Sequence, residues 1–295
     1  MSEARIHTKT GVPVVLCADD YGLAPGVGVA IRDLIEAGRL SATSCMVVAE
    51  AWPAEAKTLK PLRNKVDIGL HLTLSDQRAC LALPGLAPGG RFRPLARVIL
   101  AGLARHLSPC EIRAEMLAQL DRFEAAMGMP PDFIDGHQHV HQLPVVRDVL
   151  LELFETRLKA QGTYVRYCDE SLAAIAGRGI APLRAAVISL LGRGLARSGR
   201  GRAIPGNTRF RGVRSFSQAE DPARFFAAFL ATPADGLLVM CHPGLPDAEL
   251  VSLDPVTEPR RAEYAFLKSE AFPALLAKAG VRLARFRDTA RAPGA

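Results

Sequence analysis

Four short stretches of the sequence place carboxylates or imidazoles directly after an apolar run. They are VVLCADDYGLAPG with Asp19 and Asp20, GLHLTL with His71, DGHQHVH with His137, His139 and His141, and MCHPG with His242. Each run is typical of a strand, and the carboxyl ends of parallel strands lie on one face of an α/β fold. We therefore expect the four stretches to converge on one site. One carboxylate with two imidazoles is typical of a divalent-cation site, and a second carboxylate beside a water molecule can act as a base. The chemistry indicated is metal-assisted hydrolysis.

The two adjacent aspartates raise a geometric problem. Charge repulsion and desolvation both oppose neighbouring carboxylates at the end of a buried strand unless a cation lies close. Successive residues of a regular strand point to opposite sides, so both reach one site only if the chain kinks after Ala18, and Gly22 would ease that turn. In the histidine run, a turn near Gly136 would leave only one or two of the three imidazoles facing the site. Taken singly, an Asp-Asp pair is more often a turn or helix cap, and a lone strand-end histidine is more often structural.

The elements that must position these groups alternate along the chain. Strand-like segments are 12–20, 42–49, 66–74, 132–141, 163–168, 236–244 and 281–288; helix-like segments are 26–40, 108–128, 144–162, 182–197, 221–232 and 263–280. Ser108, Pro109 and Gly128 are suited to the N-cap, first turn and C-cap of one helix. The alternation predicts seven or eight parallel βαβ units. We predict an α/β fold, a distorted (β/α) barrel of about seven parallel strands forming one domain over residues 1–295, with a doubly wound open sheet as the alternative.

Basic residues concentrate in one inserted segment. The chain has 37 basic and 30 acidic residues, and residues 171–214 hold nine arginines without any Asp or Glu, leaving 28 basic and 30 acidic residues elsewhere. Such a segment attracts phosphate, anionic lipid or nucleic acid, or forms a solvated face. Its helical part carries an apolar stripe of Leu183, Val187, Leu190, Leu191 and Leu195. Polar and aromatic candidates for substrate contact are Asn207, Arg209, Arg211, Tyr21 and Trp52.

Cysteine usage and the lack of long apolar runs favour a cytoplasmic protein. The six cysteines form no CxxC pair, and three lie inside apolar runs, which is typical of buried reduced thiols. No apolar run approaches the roughly 20 residues that span a bilayer, and MSEARIHTKTGVP has no apolar signal core.

The motifs ADDYGL, GLHLTL, DGHQHVH and MCHPG resemble those of the YdjC-like carbohydrate deacetylases, the family that includes chitooligosaccharide and hopanoid-biosynthesis deacetylases. They occur in the family's order and span residues 17–244. Tyr21 stands where the family more usually has Phe. The DGHQHVH motif departs from the hopanoid branch, and the arginine-rich segment departs from the chitooligosaccharide branch, so the resemblance reaches the family and not one substrate.

The resemblance implies a fold, an activity and residue roles. It implies a distorted (β/α) barrel that uses one divalent metal ion, Mg or Zn, to remove acetyl from an N-acetylated sugar. Asp19 would be the catalytic base and His242 the general acid, protonated before it gives its proton to the leaving amine. Asp20, His71 and His137 would hold the metal, with His139 and His141 as outer or substrate-side groups.

Other functions stay open on the sequence alone. A metal-dependent phosphoesterase or amidohydrolase also places His and Asp at strand ends, although an amidohydrolase usually has an HxH after its first strand. A non-enzymatic basic protein of a membrane surface or nucleic acid would explain the arginines and leave the converging groups unexplained, and no familiar nucleic-acid-binding motif is present. The partner we expect is an N-acetylated saccharide, and we further expect it to carry a lipid link or a phosphate. Peripheral contact with an anionic membrane and a homodimer are two more expectations. No nucleic acid is expected.

Overall fold

The structure, a computed structural model, describes residues 11–289. The strands in this range are β1 (Val12–Tyr21), β2 (Ala42–Cys45), β3 (Asp67–Leu72), β4 (Phe133–Gly136), β5 (Tyr164–Val165), β6 (Arg209–Arg211), β7 (Leu237–Cys241) and β8 (Val281–Leu283). The helices are α1 (Pro25–Glu36), α2 (Trp52–Leu59), α3 (Leu95–Leu103), α4 (Pro109–Met127), α5 (Val146–Leu153), α6 (Leu172–Arg178), α7 (Pro182–Gly201), α8 (Pro222–Leu230), α9 (Ala248–Leu253), α10 (Glu258–Lys268) and α11 (Ala271–Lys278). Within this range, none of the helices combines the length and apolarity needed to cross a bilayer.

The strands form one parallel sheet that curls into a distorted barrel. Its order is β5-β4-β3-β2-β1-β7-β6, and β8 pairs with the start of β1. The two edges approach each other, because Val165 of β5 makes a parallel bridge to Gly206, three residues before β6. The prediction of a barrel of about seven parallel strands is confirmed, and the open-sheet alternative is wrong.

Alternating strand residues pack into two apolar clusters on the two faces of the sheet. In β1, Val14, Leu16 and Ala18 join the large cluster that includes the surrounding helices. Val15 and Cys17 join a smaller cluster inside the barrel, which also takes in Ile175 of α6 and Ala185 of α7. The period of two continues past the apolar residues, so that Asp19 follows Cys17 on the inner face. The same alternation puts His71 of β3 and Asp135 of β4 at inner positions. It does the same for Arg166, directly after β5, and for His242, directly after β7.

Several element boundaries differ from the sequence-based prediction. The helix predicted over 263–280 is two helices, since Ser269 is extended and Pro273 cannot donate the hydrogen bond that would continue the helix past it. The strand predicted over 42–49 ends at Cys45, and sequence patterning did not single out α3, α6 or α9. In α4, Ser108 accepts from the backbone of Glu111 and Gly128 is left-handed, which confirms both predicted caps.

The arginine-rich segment contributes α6, α7 and β6, so that its last part belongs to the barrel sheet. All six cysteines are free thiols. Residues 1–10, which hold most of the stretch used for the expectation of a cytoplasmic protein, lie outside the described residues.

Asp67, at the start of β3, makes folding sensitive to pH. Burial raises the pKa of its carboxyl to about 7 from an ordinary 3.8, with Asp132 adding to the effect, while the Phe286 amide that donates to it acts in the opposite direction. The folded state therefore holds a proton that the unfolded state releases between these values, and stability falls as pH rises through this window. We expect Asp67→Asn to flatten this decline, measured as the free energy of unfolding from pH 4 to about 7. Parallel curves for the variant and the wild type would contradict the assignment.

Candidate active site

The chain kinks where β1 ends. Ala18 pairs with Thr43 and Tyr21 with Cys45, so β1 advances three residues while β2 advances two. The extra residue is a bulge, and Asp20 takes a left-handed φ of 67° within it. Gly22 follows with a φ of 89°. Both aspartate side chains consequently face one cleft, and the predicted kink after Ala18 is confirmed.

Asp20, His71 and His137 bring three ligand atoms together. The Asp20 Oδ1 atom lies 3.2 Å from His71 Nε2 and 3.0 Å from His137 Nδ1. One ligand atom from each residue lies within 4.8 Å of the other two. One carboxylate oxygen and two imidazole nitrogens suit zinc or a similar divalent ion and leave positions for water and substrate, so this donor set fits the metal that the sequence predicted.

Two neighbouring groups fix the orientation of these ligands. Arg260 donates from Nη2 to Asp20 Oδ2 at 2.6 Å, which leaves Oδ1 facing the imidazoles. Burial opposes ionisation of Asp20, but Arg260 and His137 hold the pKa of its carboxyl well below the ordinary value. On the other side, His71 Nδ1 donates to Asp135 Oδ1 at 2.7 Å, and Ser44 Oγ donates to the same oxygen. Burial would lower the pKa of His71, but Asp135 and Asp20 raise it to about 10, so a divalent ion would have to displace the Nε2 proton to bind there.

Asp19 is held by a buried guanidinium. Arg166 donates from Nη1 to Asp19 Oδ2 at 2.7 Å and from Nη2 to Asp19 Oδ1 at 2.6 Å, and its Nη2 also lies 2.6 Å from Asp135 Oδ2. Cys17, Asp19 and Asp135 are close enough to surround a cation, and that cation is Arg166. Burial raises the pKa of the Asp19 carboxyl, while Arg166 acts in the opposite direction. A carboxylate with a raised pKa is a stronger base.

His242 lies close to Asp19 at the end of β7. Its Nε2 atom is 4.0 Å from Asp19 Oδ2, its backbone amide donates to Glu263 Oε2 at 2.6 Å, and the Phe216 ring meets its ring edge-on with centroids 5.0 Å apart. Burial holds the pKa of His242 well below its ordinary value, so the imidazole is neutral at pH 7. The role of general acid predicted for His242 stays a prediction, and burial means that the imidazole would have to gain its proton during the reaction.

The histidine run turns sharply after β4. Gln138 and His139 both adopt left-handed conformations, and a Cβ on Gly136 would lie 2.8 Å from His141 Nδ1, so the tight turn requires glycine there. His137 and His139 line the cleft. His141 is buried behind it and donates from Nε2 to the Arg166 carbonyl at 3.0 Å, and burial lowers its pKa to about 4. The interpretation that only one or two of the three imidazoles face the site is confirmed.

The cleft has a volume of about 530 Å³ and two kinds of wall. The ionisable groups described above occupy one part of it. Aliphatic side chains of two helices form another part: Leu95 and Ile99 from α3, and Val187, Ile188 and Leu191 from α7. The cleft can therefore hold a polar reacting group and an apolar extension together.

Three residues expected to contact substrate do not line the cleft, and this corrects the prediction for them. Tyr21 is fully buried and its hydroxyl donates to the Glu55 carbonyl, because the bulge turns its ring toward α2. Asn207 is buried, and its amide bonds to the backbone of Tyr167. Arg209 pairs with Glu170.

Arg211 and Trp52 are also buried away from the cleft. Arg211 is fixed by Glu170 and by donation to the carbonyls of Phe229 and Ala231 at the C-terminal end of α8. The Trp52 ring stacks on Phe123 at 5.8 Å.

Sequence reasoning missed the groups that hold the side chains of the candidate site in place. Arg166 and Asp135 sit in the apolar stretches TYVRYC and DFIDG, and a charged residue inside a buried strand is a signal, since it requires a partner of opposite charge. Arg260 and Glu263 lie on α10, where charged residues are ordinary, and Phe216 lies in a loop. Nothing in the local sequence indicates the roles of these three residues.

Comparisons with known sequences place the chain in a family. The model of the family described as YdjC-like protein matches residues 13–278. The chain is 29% identical over 283 residues to the chitooligosaccharide deacetylase of Yersinia pestis (strain Pestoides F), covering 93% of this chain and 98% of that protein. It is 33% identical over 161 residues to the carbohydrate deacetylase of Mus musculus, and 30% over 145 residues to the chitooligosaccharide deacetylase of Proteus mirabilis (strain HI4320). These last two matches span only 51% and 56% of those relatives.

Solved structures share the fold at low sequence identity. A protein of Enterococcus faecalis V583, provisionally named for cellobiose-phosphate cleavage, superposes with a TM-score of 0.70 at 18% identity over 94% of this chain and 98% of that one. A peptidoglycan N-acetylglucosamine deacetylase gives a TM-score of 0.50 at 13% identity, over 96% and 94%. The structural likeness supports the barrel, and the match over residues 13–278 shows that the chain belongs to the YdjC-like protein family.

Proposed function

We propose that the protein is a metal-dependent hydrolase that removes acetyl from an N-acetylated sugar. The observation that carries the proposal is the pairing of a fixed base with a cation site: Asp19, held by Arg166, lies in the same cleft as the ligand cluster of Asp20, His71 and His137. The names of the Yersinia and mouse relatives support a carbohydrate amide as the substrate class.

The ligand cluster supports the use of one divalent ion, Mg or Zn. A bound divalent ion would polarise the acetyl carbonyl and make a water molecule more acidic. Asp20, His71 and His137 would hold it, and Arg260 and Asp135 would keep the Asp20 and His71 ligand atoms in position.

In the proposed reaction, Asp19 and His242 move the proton. Asp19 accepts a proton from the attacking water as the new bond to the acetyl carbon forms. That proton reaches the leaving amine through His242, whose Nε2 lies 4.0 Å from Asp19 Oδ2, as the C–N bond breaks. The products are acetate and a free amino sugar, and both side chains return to their starting protonation states.

The cleft supports a finer proposal for the substrate. The aliphatic walls from α3 and α7 favour a sugar linked to an apolar group, which suits a lipid-linked glycan. Arg184 is also in the cleft wall and has no carboxylate within ion-pair distance in residues 11–289. Its guanidinium would donate hydrogen bonds to a phosphate on such a substrate. The cytoplasmic location stays a prediction.

The products distinguish this reaction from other hydrolyses. Incubation with N-acetylglucosamine oligomers and with alkyl-linked N-acetylglucosamine is expected to release acetate and free amine in equal amounts. The alkyl-linked substrate is expected to give the higher kcat/KM. Release of phosphate from sugar phosphates, without acetate from either N-acetylated substrate, would replace this proposal with a phosphoesterase.

The metal ligands can be tested without activity. We expect His137→Ala to weaken Zn²⁺ binding by at least about 100-fold, because one of three protein ligands is lost. His139→Ala is the matched control. His139 lies in the same turn and lines the same cleft, but it is outside the ligand cluster, so the variant should bind Zn²⁺ with wild-type affinity. Calorimetric titration measures both. Unchanged affinity in His137→Ala would remove it from the ligand set.

A further inference from the structure

Exposed large apolar side chains are concentrated on α3 and α7, the two helices that line the cleft, and in the segments that contain them. Nine such residues occur within residues 11–289, and seven of them fall in segments 77–110 and 171–214, leaving only Val29 and Val251 elsewhere. The seven are Leu81, Leu100, Leu103, Leu172, Leu183, Val187 and Leu190. Leu183 is 79% exposed and Leu100 is 64% exposed. A concentration of this kind marks an interaction surface.

The same two segments lack acidic residues. Together they contain fourteen arginines and no Asp or Glu, whereas the rest of the chain has 23 basic and 30 acidic residues. Five of the arginines in 171–214 pair with carboxylates of the fold, namely Arg178, Arg200, Arg209, Arg211 and Arg214. Arg97, Arg184, Arg193 and Arg197 are exposed and have no carboxylate within ion-pair distance among the described residues. Apolar and basic exposure therefore coincide.

The exposed leucines continue the aliphatic walls of the cleft outward. Both helices pack on the turn after β4: Gly102 of α3 approaches Leu143, and Gln142 donates to the Ile188 carbonyl of α7. Leu103 is one turn from Ile99, which lines the cleft. Leu183 and Leu190 are one turn to either side of Val187, which also lines it. We call the exposed surface of these two helices, with Leu100, Leu103, Leu183, Leu190, Arg97, Arg193 and Arg197, the α3–α7 face.

We propose that the α3–α7 face docks on the surface of an anionic lipid bilayer. Leucines that enter the acyl boundary and arginines that contact anionic headgroups are the chemistry of an interfacial protein. A second copy of this chain fits less well, because a symmetric contact would bring the arginine-rich faces of both copies together. Residues of both helices line the cleft, so docking through this face would bring the cleft close to the membrane. The proposal does not rest on the reaction proposed above, since binding is measured without catalysis.

Vesicle sedimentation tests the two parts of the face separately. The wild type is expected to bind phosphatidylglycerol-containing vesicles and not pure phosphatidylcholine, with binding weakened by salt. Leu183→Ser/Leu190→Ser is expected to lower affinity about tenfold through lost apolar insertion. Arg193→Gln/Arg197→Gln should also weaken binding. Val29→Ser, an exposed valine on α1, is the control and should bind as the wild type does. Absence of wild-type binding at low salt, or full binding by the leucine variant, would overturn the proposal.

A fluorescence measurement distinguishes insertion from adsorption. The chain has one tryptophan, Trp52, which is buried, so a new indole reports its own surroundings. Emission from Leu190→Trp is expected to shift to the blue on addition of anionic vesicles, and Val29→Trp should not respond. A dimer by light scattering that the leucine double variant converts to monomer would assign the face to a second copy and overturn the proposal.

Discussion

Asp19→Asn is expected to lower kcat about 10³- to 10⁴-fold with little change in metal affinity, because the amide cannot accept a proton from water. Asp19 is outside the candidate ligand cluster, although it directly precedes Asp20, which is in it. Steady-state acetate release and calorimetric Zn²⁺ titration on the same preparation would measure the two effects.

The fold supplies a matched control for this substitution. Asp169 also accepts hydrogen bonds from both terminal nitrogens of an arginine, Arg200, at 2.8 and 2.9 Å. This pair is at the surface, away from the cleft. Asp169→Asn should keep wild-type turnover. Turnover in Asp19→Asn within tenfold of the control would exclude Asp19 as the base.

Arg166→Met is expected to destabilise the fold by about 3–5 kcal/mol, because it leaves two buried carboxylates without a compensating charge. Arg166, Asp19 and Asp135 have side chains that are at most 2% exposed. The free energy of unfolding from denaturant titration would measure the loss, and Arg166→Lys should recover part of it because the charge returns without the paired geometry.

Arg200→Met tests whether burial is the cause. The side chain of Arg200 is 43% exposed, and its ion pair with Asp169 is solvated, so its removal is expected to cost about 0–1 kcal/mol. Equal losses in Arg166→Met and Arg200→Met would show that the buried carboxylates do not depend on Arg166.

The side chains that the sequence predicted to react meet in one cleft because they continue the period of a strand. Asp19 and His242 follow apolar residues that alternate in and out of the barrel, and His71 lies within such a strand, so strand ends could be recognised without knowing the fold in detail. The kink that brings Asp20 to the same side also followed from geometry, because two adjacent carboxylates can share a site in no other way.

The groups that orient the site depended on contacts between distant parts of the chain. Arg260 reaches Asp20 across 240 positions of sequence, and Arg166 reaches Asp19 across 147. No local pattern encodes such a meeting. Tyr21 was expected to contact substrate because an aromatic ring can stack on a sugar, whereas the bulge sends its ring to the side opposite the cleft.

The apolar stripe of α7 was recognisable by its helical period, but period alone does not say what covers it. Leu195 is buried, as expected for a residue that packs against the core. Three other members of the stripe, Leu183, Val187 and Leu190, are exposed. Only the tertiary structure separates the packed part of the stripe from the part at the cleft mouth.

Measuring acetate release before and after a divalent ion is removed and returned tests most directly the claim that Asp20 binds the ion while Asp19 acts as the base. Wild-type protein treated with a chelator is expected to lose acetate release from N-acetylglucosamine substrates, and addition of Zn²⁺ or Mg²⁺ should restore it. Asp20→Asn, which alters the carboxylate ligand and leaves Asp19 in place, should not be restored at the same ion concentration. Acetate release that persists through chelation, or full restoration in Asp20→Asn, would contradict the division of roles between the two adjacent aspartates.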